Sequence, residues 1–127
     1  MFEGANLVKR GGYNALSELR DALRHFAAER DWDQYHAPKN LAAALIVEAG
    51  ELLEHFQWMT EDASKSLTPD QLAKVRDEMA DVLIYLVRLA DKLNIDLLKA
   101  TKQKVEANAR KYPVAKARGS SRKYTDL

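Results

Sequence analysis

Two pairs of carboxylates stand out in this sequence because each pair lies among apolar residues at helical spacing. Glu48 and Glu51 are three residues apart in "IVEAGELLEHFQW", and Glu78 and Asp81 are three residues apart in "DEMADVLIYL". Residues three apart are neighbours on one helix face, where like charges repel each other. In a largely apolar groove, such carboxylates must take up protons or bind a cation. The spacing therefore indicates chemistry that uses a metal ion.

The ligand types narrow the choice of metal. Sites built only from oxygen ligands favour Mg²⁺ or Mn²⁺ over zinc and copper, and the chain has no Cys. Ferritin-like di-iron bundles need a Glu-x-x-His motif, which is absent, because no histidine here follows a Glu by three residues. The alternative is that all four acids lie on solvated helix faces. Two pairs, each beside apolar residues, favour the metal site instead.

The elements that must position these carboxylates are helices. We predict four, from Tyr13 to Arg30, from Pro38 to about Trp58, from Pro69 to near Asn94, and from Asp96 to just before Pro113. Thr68, Pro69 and Gln71 form a capping-box start signal for the third helix. In an antiparallel hairpin of the second and third helices, Glu51 and Glu78 each lie roughly 12–14 Å from the turn. Four carboxylates would then converge between the two helices.

Composition indicates one all-α domain spanning residues 1–127. Hydrophobic residues make up 46% of the 127 residues, with only five Gly and three Pro, and no strand-like alternation occurs. No apolar run reaches the length of a membrane span, and the net charge of +1 argues against general nucleic-acid binding. The absence of Cys fits a reducing cytoplasm. We therefore expect a cytoplasmic protein with neither a membrane nor a nucleic acid as partner.

Two further features concern partners. From Arg110 to Lys123 the chain has six Lys or Arg and no acid, so this irregular tail is either a solvated basic segment or one that folds over an anion. From Met79 to Ala90 the third helix is apolar on more than one face, whereas a helix in a small bundle needs one buried stripe. These additional apolar residues predict contact with another copy of the chain. A larger core within the single chain is the alternative.

Three stretches, "KNLAAALIVEAGELLEHFQW", "DEMADVLIYLVRLADKLNIDL" and "SSRKYTDL", resemble the MazG-like all-α nucleoside triphosphate pyrophosphohydrolases. The similarity runs from about Leu23 to the C-terminus. It implies a four-helix MazG-like bundle that uses Mg²⁺, with Mn²⁺ as a substitute, and a homotetramer built from two dimers. It also implies hydrolysis of a nucleoside triphosphate to the monophosphate and pyrophosphate. The implied substrate is dCTP or a modified pyrimidine deoxynucleotide, which suggests housecleaning of the nucleotide pool.

The resemblance also assigns roles to residues. Glu48, Glu51, Glu78 and Asp81 would be the magnesium ligands, and a water bound there would lose its proton to a nearby carboxylate, for which we select Glu51. The implied substrate contacts fall into three groups: aromatic residues for base and sugar (Trp32, Trp58, Tyr85), polar residues for phosphate and base (His36, Lys39, Asn40), and residues of the fourth helix and tail for the triphosphate (Asn108, Lys111, Lys123, Tyr124).

The same residues are also compatible with other functions. Each Trp has core packing as its alternative role, since aromatic residues fill cores as readily as they stack on bases. A non-catalytic helical dimerisation or regulatory module would use the same acids only to tune assembly. The same fold and metal could also serve dUTP or another nucleotide.

Overall fold

The computed structural model describes residues 15–127, and within that range the chain is all-α without a β-strand. Across residues 15–127, four long and two short α-helices follow one another: α1 (Leu16–Glu29), α2 (Pro38–Glu54), α3 (Glu61–Ser64), α4 (Pro69–Lys92), α5 (Leu97–Lys111) and α6 (Val114–Ala117). Short 3₁₀ turns cover Asp33–Tyr35 and Tyr124–Asp126. The predicted fold class is confirmed.

The start of α4 forms as its sequence predicts. The backbone N–H of Gln71 donates to the Thr68 hydroxyl at 3.2 Å, and the Gln71 side chain accepts from the Thr68 backbone N–H at 2.9 Å. These reciprocal bonds satisfy two donors that the first turn of a helix leaves free. At the other end, Asn94 takes the left-handed conformation with φ of 54° and ends the helix. Asp96 then caps α5 by accepting from the Lys99 backbone N–H at 3.1 Å.

Several predicted boundaries need correction. The predicted first-helix start at Tyr13 lies outside the described residues. The prediction that the second helix reaches Trp58 was wrong, because α2 ends at Glu54. The chain then tightens into turns in which Phe56 N–H donates to the Leu53 carbonyl and Met59 N–H to the Phe56 carbonyl, both at 2.9 Å. Bonds of this three-residue type end an α-helix.

The prediction of only four helices missed two short ones. In α3 the Thr60 hydroxyl caps the first turn by accepting from the Ala63 backbone N–H at 3.1 Å. In α6 the carbonyl of Pro113 accepts from the Ala117 N–H at 2.9 Å. The C-terminal tail is therefore not irregular throughout, since α6 and the 3₁₀ turn at Tyr124–Asp126 lie within it.

The chain divides into two compact units, one ending at Asn94 and the other comprising Ile95–Leu127. In the first unit α4 packs mainly against α2 and also against α1. Its small core includes Ala22 and Ala27 of α1, Leu41 of α2, and Val75, Val87 and Ala90 of α4. Glu48 lies near both Glu78 and Asp81, whereas His55, seven residues later, lies beside Glu78, the earlier of the two on α4. The two helices therefore run antiparallel, as predicted.

The second unit contains α5 and α6, and whether the two units behave as one domain over residues 1–127 stays a prediction. None of the helices described here has a stretch both long and apolar enough to cross a bilayer.

Candidate functional site

Three of the four singled-out carboxylates form a tight group between α2 and α4. One oxygen each from Glu48, Glu78 and Asp81 lies within 4.8 Å of the other two. We call these three residues the carboxylate cluster. Glu48 is supplied by α2 and the other two by successive turns of α4, so the antiparallel hairpin creates the group. The prediction that these acids converge between the helices is confirmed for these three.

The carboxylate cluster fits a cation on the chemistry of its own atoms. Glu48 Oε2 and Glu78 Oε2 are buried, and neither has a hydrogen-bond partner among residues 15–127. Buried carboxylate oxygens are normally hydrogen-bonded, paired with a positive charge or bound to a metal. Oxygen ligands from three acids suit a hard divalent ion such as magnesium. These residues can therefore hold a divalent cation.

The electrostatics of Glu48 point the same way. Burial, followed by the neighbouring carboxylates of Glu51, Asp81 and Glu78, raises the pKa of Glu48 to about 7. Near neutral pH, Glu48 is thus partly protonated when nothing positive is bound. A divalent cation would favour the ionised form, so its binding would displace that proton.

Glu51 and His55 extend the α2 side of this site. Glu51 lies close enough to Glu48 to raise the pKa of that carboxyl, but it is not one of the three tightly grouped acids. His55, the residue that follows α2, has Nε2 at 3.8 Å from Glu78 Oε1. Glu51 therefore lies at the edge of the carboxylate cluster, where an acid could take a proton from a water bound beside the cation.

Trp32 is positioned by the way α1 ends. Asp31 adopts the left-handed conformation with φ of 52°, and the backbone N–H groups of Asp31 and Trp32 donate to the carbonyls of Ala28 and Ala27 at 3.1 and 2.9 Å. This pattern is a Schellman motif, in which the residue after the left-handed position packs back on the helix. The Trp32 ring accordingly meets Phe26 edge-on, with centroids 5.7 Å apart. Its side chain nevertheless stays about half exposed, which leaves ring surface for a ligand.

The polar residues that follow Trp32 have different roles. The Asn40 amide donates to the Tyr35 carbonyl at 3.1 Å, which ties the first turn of α2 to the preceding turn. His36 Nδ1 accepts from Arg88 Nε at 3.1 Å. Lys39 is exposed beside Asn40. The structure thus groups these three predicted contacts at the N-terminal end of α2, with the Asn40 amide engaged by the backbone.

The predicted aromatic contacts do not all come together within one chain. Tyr85 is half-buried on α4, one turn beyond Asp81. Trp32 precedes α2 and Trp58 follows it, and 17 helical residues separate their positions by about 25 Å. The Trp58 side chain is 90% exposed. A single chain therefore cannot place both tryptophans on one base.

The remaining predicted residues belong to the second unit and lie near the end of α5 and in the tail. Lys111 and Tyr124 are in contact there, with the ammonium 5.0 Å from the ring centroid, and Tyr112 packs edge-on against Tyr124 with centroids 5.9 Å apart. Asn108 lies on α5 one turn before Tyr112 and accepts its backbone N–H at 2.8 Å through its carbonyl. Lys123 is exposed next to Tyr124.

Sequence reasoning missed a second cluster of charges on α4. Arg88 is only 5% exposed, and its guanidinium reaches Asp33, His36 and Asp91. We call these four residues the Arg88 cluster. Its signal in the sequence is one cation inside the apolar run "DVLIYLVRLA", because a charge at a buried position needs partners.

Comparison with known proteins shows the family of this chain. The profile of the MazG-like family matches residues 43–127, which include the carboxylate cluster. The chain is 48% identical to human dCTP pyrophosphatase 1 and 47% identical to the mouse protein of that name. Each match extends over 114 residues, which is 88% of this chain and 67% of the relative.

A solved structure shares the fold as well. The crystal structure of a pyrophosphatase from Archaeoglobus fulgidus superposes with a TM-score of 0.74 at 44% sequence identity. The match covers 80% of this chain and 94% of the archaeal one. Sequence and structure therefore lead to the same assignment: the chain belongs to the MazG-like family.

Proposed function

We propose that this protein hydrolyses a deoxynucleoside triphosphate, dCTP or a modified pyrimidine form, to the monophosphate and pyrophosphate. The observation that carries the proposal is the carboxylate cluster, with its two buried, unpartnered oxygens between α2 and α4. The relatives named dCTP pyrophosphatase 1 support both the reaction and the base. The role implied is removal of unwanted nucleotides from the pool.

We propose Mg²⁺ as the cation, with Mn²⁺ able to replace it. Glu48, Glu78 and Asp81 would hold it, and Glu51 would complete the ligand set or face it through water. When bound, magnesium supplies positive charge that neutralises phosphate oxygens and acidifies water. Because Mg²⁺ keeps several waters, a site with few protein ligands leaves room for the triphosphate.

The protein's own groups would then supply positioning and proton transfer. Glu51, beside Glu48, accepts the proton of a water whose oxygen forms a bond to the α phosphorus. The bond from that phosphorus to the oxygen bridging the α and β phosphates breaks, and its electron pair leaves with pyrophosphate. The half-exposed Trp32 ring stacks on the base, and Tyr85 lines the path between base and carboxylates. That Asn108, Lys111, Lys123 and Tyr124 of the second unit contact the triphosphate stays a prediction.

Product analysis tests this function. The purified protein is incubated with dCTP and magnesium, and the nucleotides are separated by chromatography while pyrophosphate is assayed. The proposal predicts dCMP and pyrophosphate in equal amounts. Release of dCDP and phosphate would contradict the bond assignment, and no turnover on any nucleotide would favour a non-catalytic assembly module. A panel of dCTP, 5-methyl-dCTP, dUTP and dATP decides the base, and faster turnover of dUTP would overturn the cytosine assignment.

We further propose that the protein is a homotetramer made of two dimers. Exposed apolar side chains form one stripe on α4, at Leu72, Met79 and Leu83, and another on α2, at Ile46 and Leu53 with Gly50 between them. Met79 is 58% exposed and Ile46 69% exposed in the single chain, and such stripes are typical of faces that another copy covers. A second copy could also bring its Trp58 to the Trp32 end of the first, which one chain cannot do alone.

Light scattering coupled to size-exclusion chromatography checks the assembly. The Met79→Glu variant should shift the mass toward that of smaller species, because a charge would be buried at the interface. Lys74→Glu is the matched control, since this exposed residue of α4 lies off the stripe. A monomeric parent, or an unchanged mass for Met79→Glu, would contradict the proposal. A cytoplasmic location, without membrane or nucleic-acid partners, stays a prediction.

A further inference from the structure

The Arg88 cluster joins α4 to the segment that carries Trp32 and His36. The guanidinium of Arg88 donates to Asp33 Oδ1 at 2.5 Å, to His36 Nδ1 at 3.1 Å and to Asp91 Oδ2 at 3.3 Å. Asp33 also pairs with Lys92, and Asp91 is held from α1 by both forks of Arg24 at 2.5 and 2.7 Å. The segment from Trp32 to His36 is thus fixed to α4 by directed bonds from a buried cation.

The bond to His36 determines where the imidazole holds its proton. Arginine is always protonated and has only donors, so the Nδ1 that faces it must be a bare acceptor. A neutral imidazole with a bare Nδ1 has its hydrogen on Nε2. Burial, followed by the positive charges of Arg88 and Lys92, lowers the pKa of His36, and the opposing effect of Asp33 is smaller. His36 is therefore a neutral side chain with an N–H at Nε2.

The cluster also lies in line with the carboxylates. Asp81, Tyr85 and Arg88 follow one another at spacings of four and three residues, so they share one face of α4. Arg88 is about 10 Å from Asp81 along the helix axis. A nucleotide whose phosphates sit at the carboxylates can extend its base along this face, past Tyr85, toward Trp32 and His36.

We propose that Arg88 is a positioning residue for base recognition, which holds Trp32 in place and presents the Nε2–H of His36 to a hydrogen-bond acceptor on the nucleobase. This inference rests on the proposed function. Neutral His36 suits the uncharged O2 or N3 acceptor of cytosine better than it suits a phosphate, for which a cation is the stronger partner. Of the three polar residues at the start of α2, His36 is then the base contact.

The tautomer has a direct test that does not depend on activity. Long-range nitrogen–proton spectra of the isotopically labelled full chain at neutral pH give separate shifts for the two imidazole nitrogens, and the signals of His36 are assigned by their loss in the His36→Gln variant. The inference predicts a bare Nδ1 and a protonated Nε2. A protonated Nδ1, or a doubly protonated ring, would overturn it.

Two near-isosteric variants separate recognition from structure. In His36→Asn the amide can still serve Arg88 at the Nδ1 position, but nothing replaces the Nε2–H. In His36→Gln the amide can reach the Nε2 position, and the acceptor for Arg88 is lost. The inference predicts that Asn raises the KM for dCTP about tenfold with kcat little changed, and that Gln stays closer to the parent. If instead the Asn variant had a KM like that of the parent and the Gln variant a raised one, His36 would act only as a hydrogen-bond acceptor for Arg88.

Variants of Arg88 test the positioning role. Arg88→Lys keeps the charge but cannot donate to three acceptors in a fixed plane, so the KM should rise about tenfold and the preference for dCTP over dUTP should fall. The magnesium-induced rise in Tm should persist, because the carboxylates are untouched. If the parent releases pyrophosphate and Arg88→Lys keeps its KM and base preference, only this inference fails. If the parent releases none, the proposed function fails, while the tautomer measurement still decides the state of His36.

Discussion

The two charged clusters on α4 lie about two turns apart and follow opposite rules. In the carboxylate cluster three acids crowd together, and two buried oxygens have no hydrogen-bond partner in the part of the chain that the structure describes. In the Arg88 cluster each charge meets one of opposite sign, and even the histidine turns a bare nitrogen to the arginine. The first cluster is incomplete without a cation, whereas the second is complete within the chain. Buried charges without a partner of opposite sign thus indicate a ligand site, whereas buried charges that are paired within the chain stabilise the fold.

The largest expected effect comes from removing one charge of the carboxylate cluster. Asp81→Asn should lower kcat/KM by about a thousandfold or more, because the phosphates lose a cation placed for the transition state. The variant should fold at least as stably as the parent without metal, since a repulsion is removed. Steady-state kinetics and urea unfolding measure the two effects.

Asp77→Asn is the matched control for this prediction, since Asp77 is an exposed acid on the same helix. It should leave kcat/KM near that of the parent. A large loss of stability in Asp81→Asn would mean that the acid holds the fold, and the contrast between the two clusters would collapse.

The Arg88 cluster should respond in the opposite way to loss of charge. Arg88→Met should lower the free energy of unfolding by about 3 kcal/mol, because Asp33, His36 and Asp91 all lose the guanidinium to which they are bonded, and Asp91 keeps only Arg24. Arg20→Met, which breaks an exposed pair with Asp21, should cost at most about 1 kcal/mol. Equal losses in urea unfolding for the two variants would contradict the assignment of Arg88 as a buried tie.

The stability of the fold should depend on pH in opposite directions for the two clusters. The raised pKa of Glu48, about 7, means that the folded chain binds this proton more tightly than the unfolded chain does. Its stabilising contribution is therefore complete at pH values below the unfolded pKa and is lost as pH rises through about 7. Arg24 lowers the pKa of Asp91, so the contribution of Asp91 is present above the ordinary aspartate pKa and is lost as pH falls below it.

Thermal unfolding without divalent cations checks both signs. The Tm should rise by a few degrees as pH falls from 8 to 6 and should drop again in acid below about pH 4. Magnesium should remove most of the first change, because it binds the ionised form. A Tm that increases steadily from pH 6 to 8 without metal would contradict the raised pKa of Glu48.

The smallest predicted effect is the loss of the N-cap of α4, which lies outside both clusters and shows what a general weakening of the helix does. Thr68→Ala removes the cap of α4 and should cost about 1 kcal/mol of unfolding free energy with kcat and KM unchanged. Thr68→Ser keeps a hydroxyl and should cost much less. Loss of activity in Thr68→Ala would mean that a general weakening of α4 mimics the effects assigned to the clusters.

The sequence was informative where the signal is local. The spacing of Glu78 and Asp81, the capping box at Thr68 and the left-handed cap at Asn94 each depend on residues within one or two turns, and the structure has all of them. The antiparallel hairpin then required only helix lengths to bring Glu48 near Asp81.

What the sequence did not reveal depends on long-range contacts and on competition at helix ends. Arg88 meets Asp33 and His36 across more than fifty residues, and no periodicity encodes such a pairing. The end of α2 at Glu54 and the short helix α3 reflect backbone turns that compete with a sequence still favourable to helix.

The most direct test of the central claim, that the carboxylate cluster is built for a cation, is the Tm of the parent and of Glu48→Gln, each with and without magnesium. Without magnesium the variant should unfold at or above the temperature of the parent, because a repelling charge is gone. Magnesium should raise the Tm of the parent clearly and that of the variant little. A variant less stable than the parent without metal, or an equal rise in both proteins with magnesium, would contradict the claim.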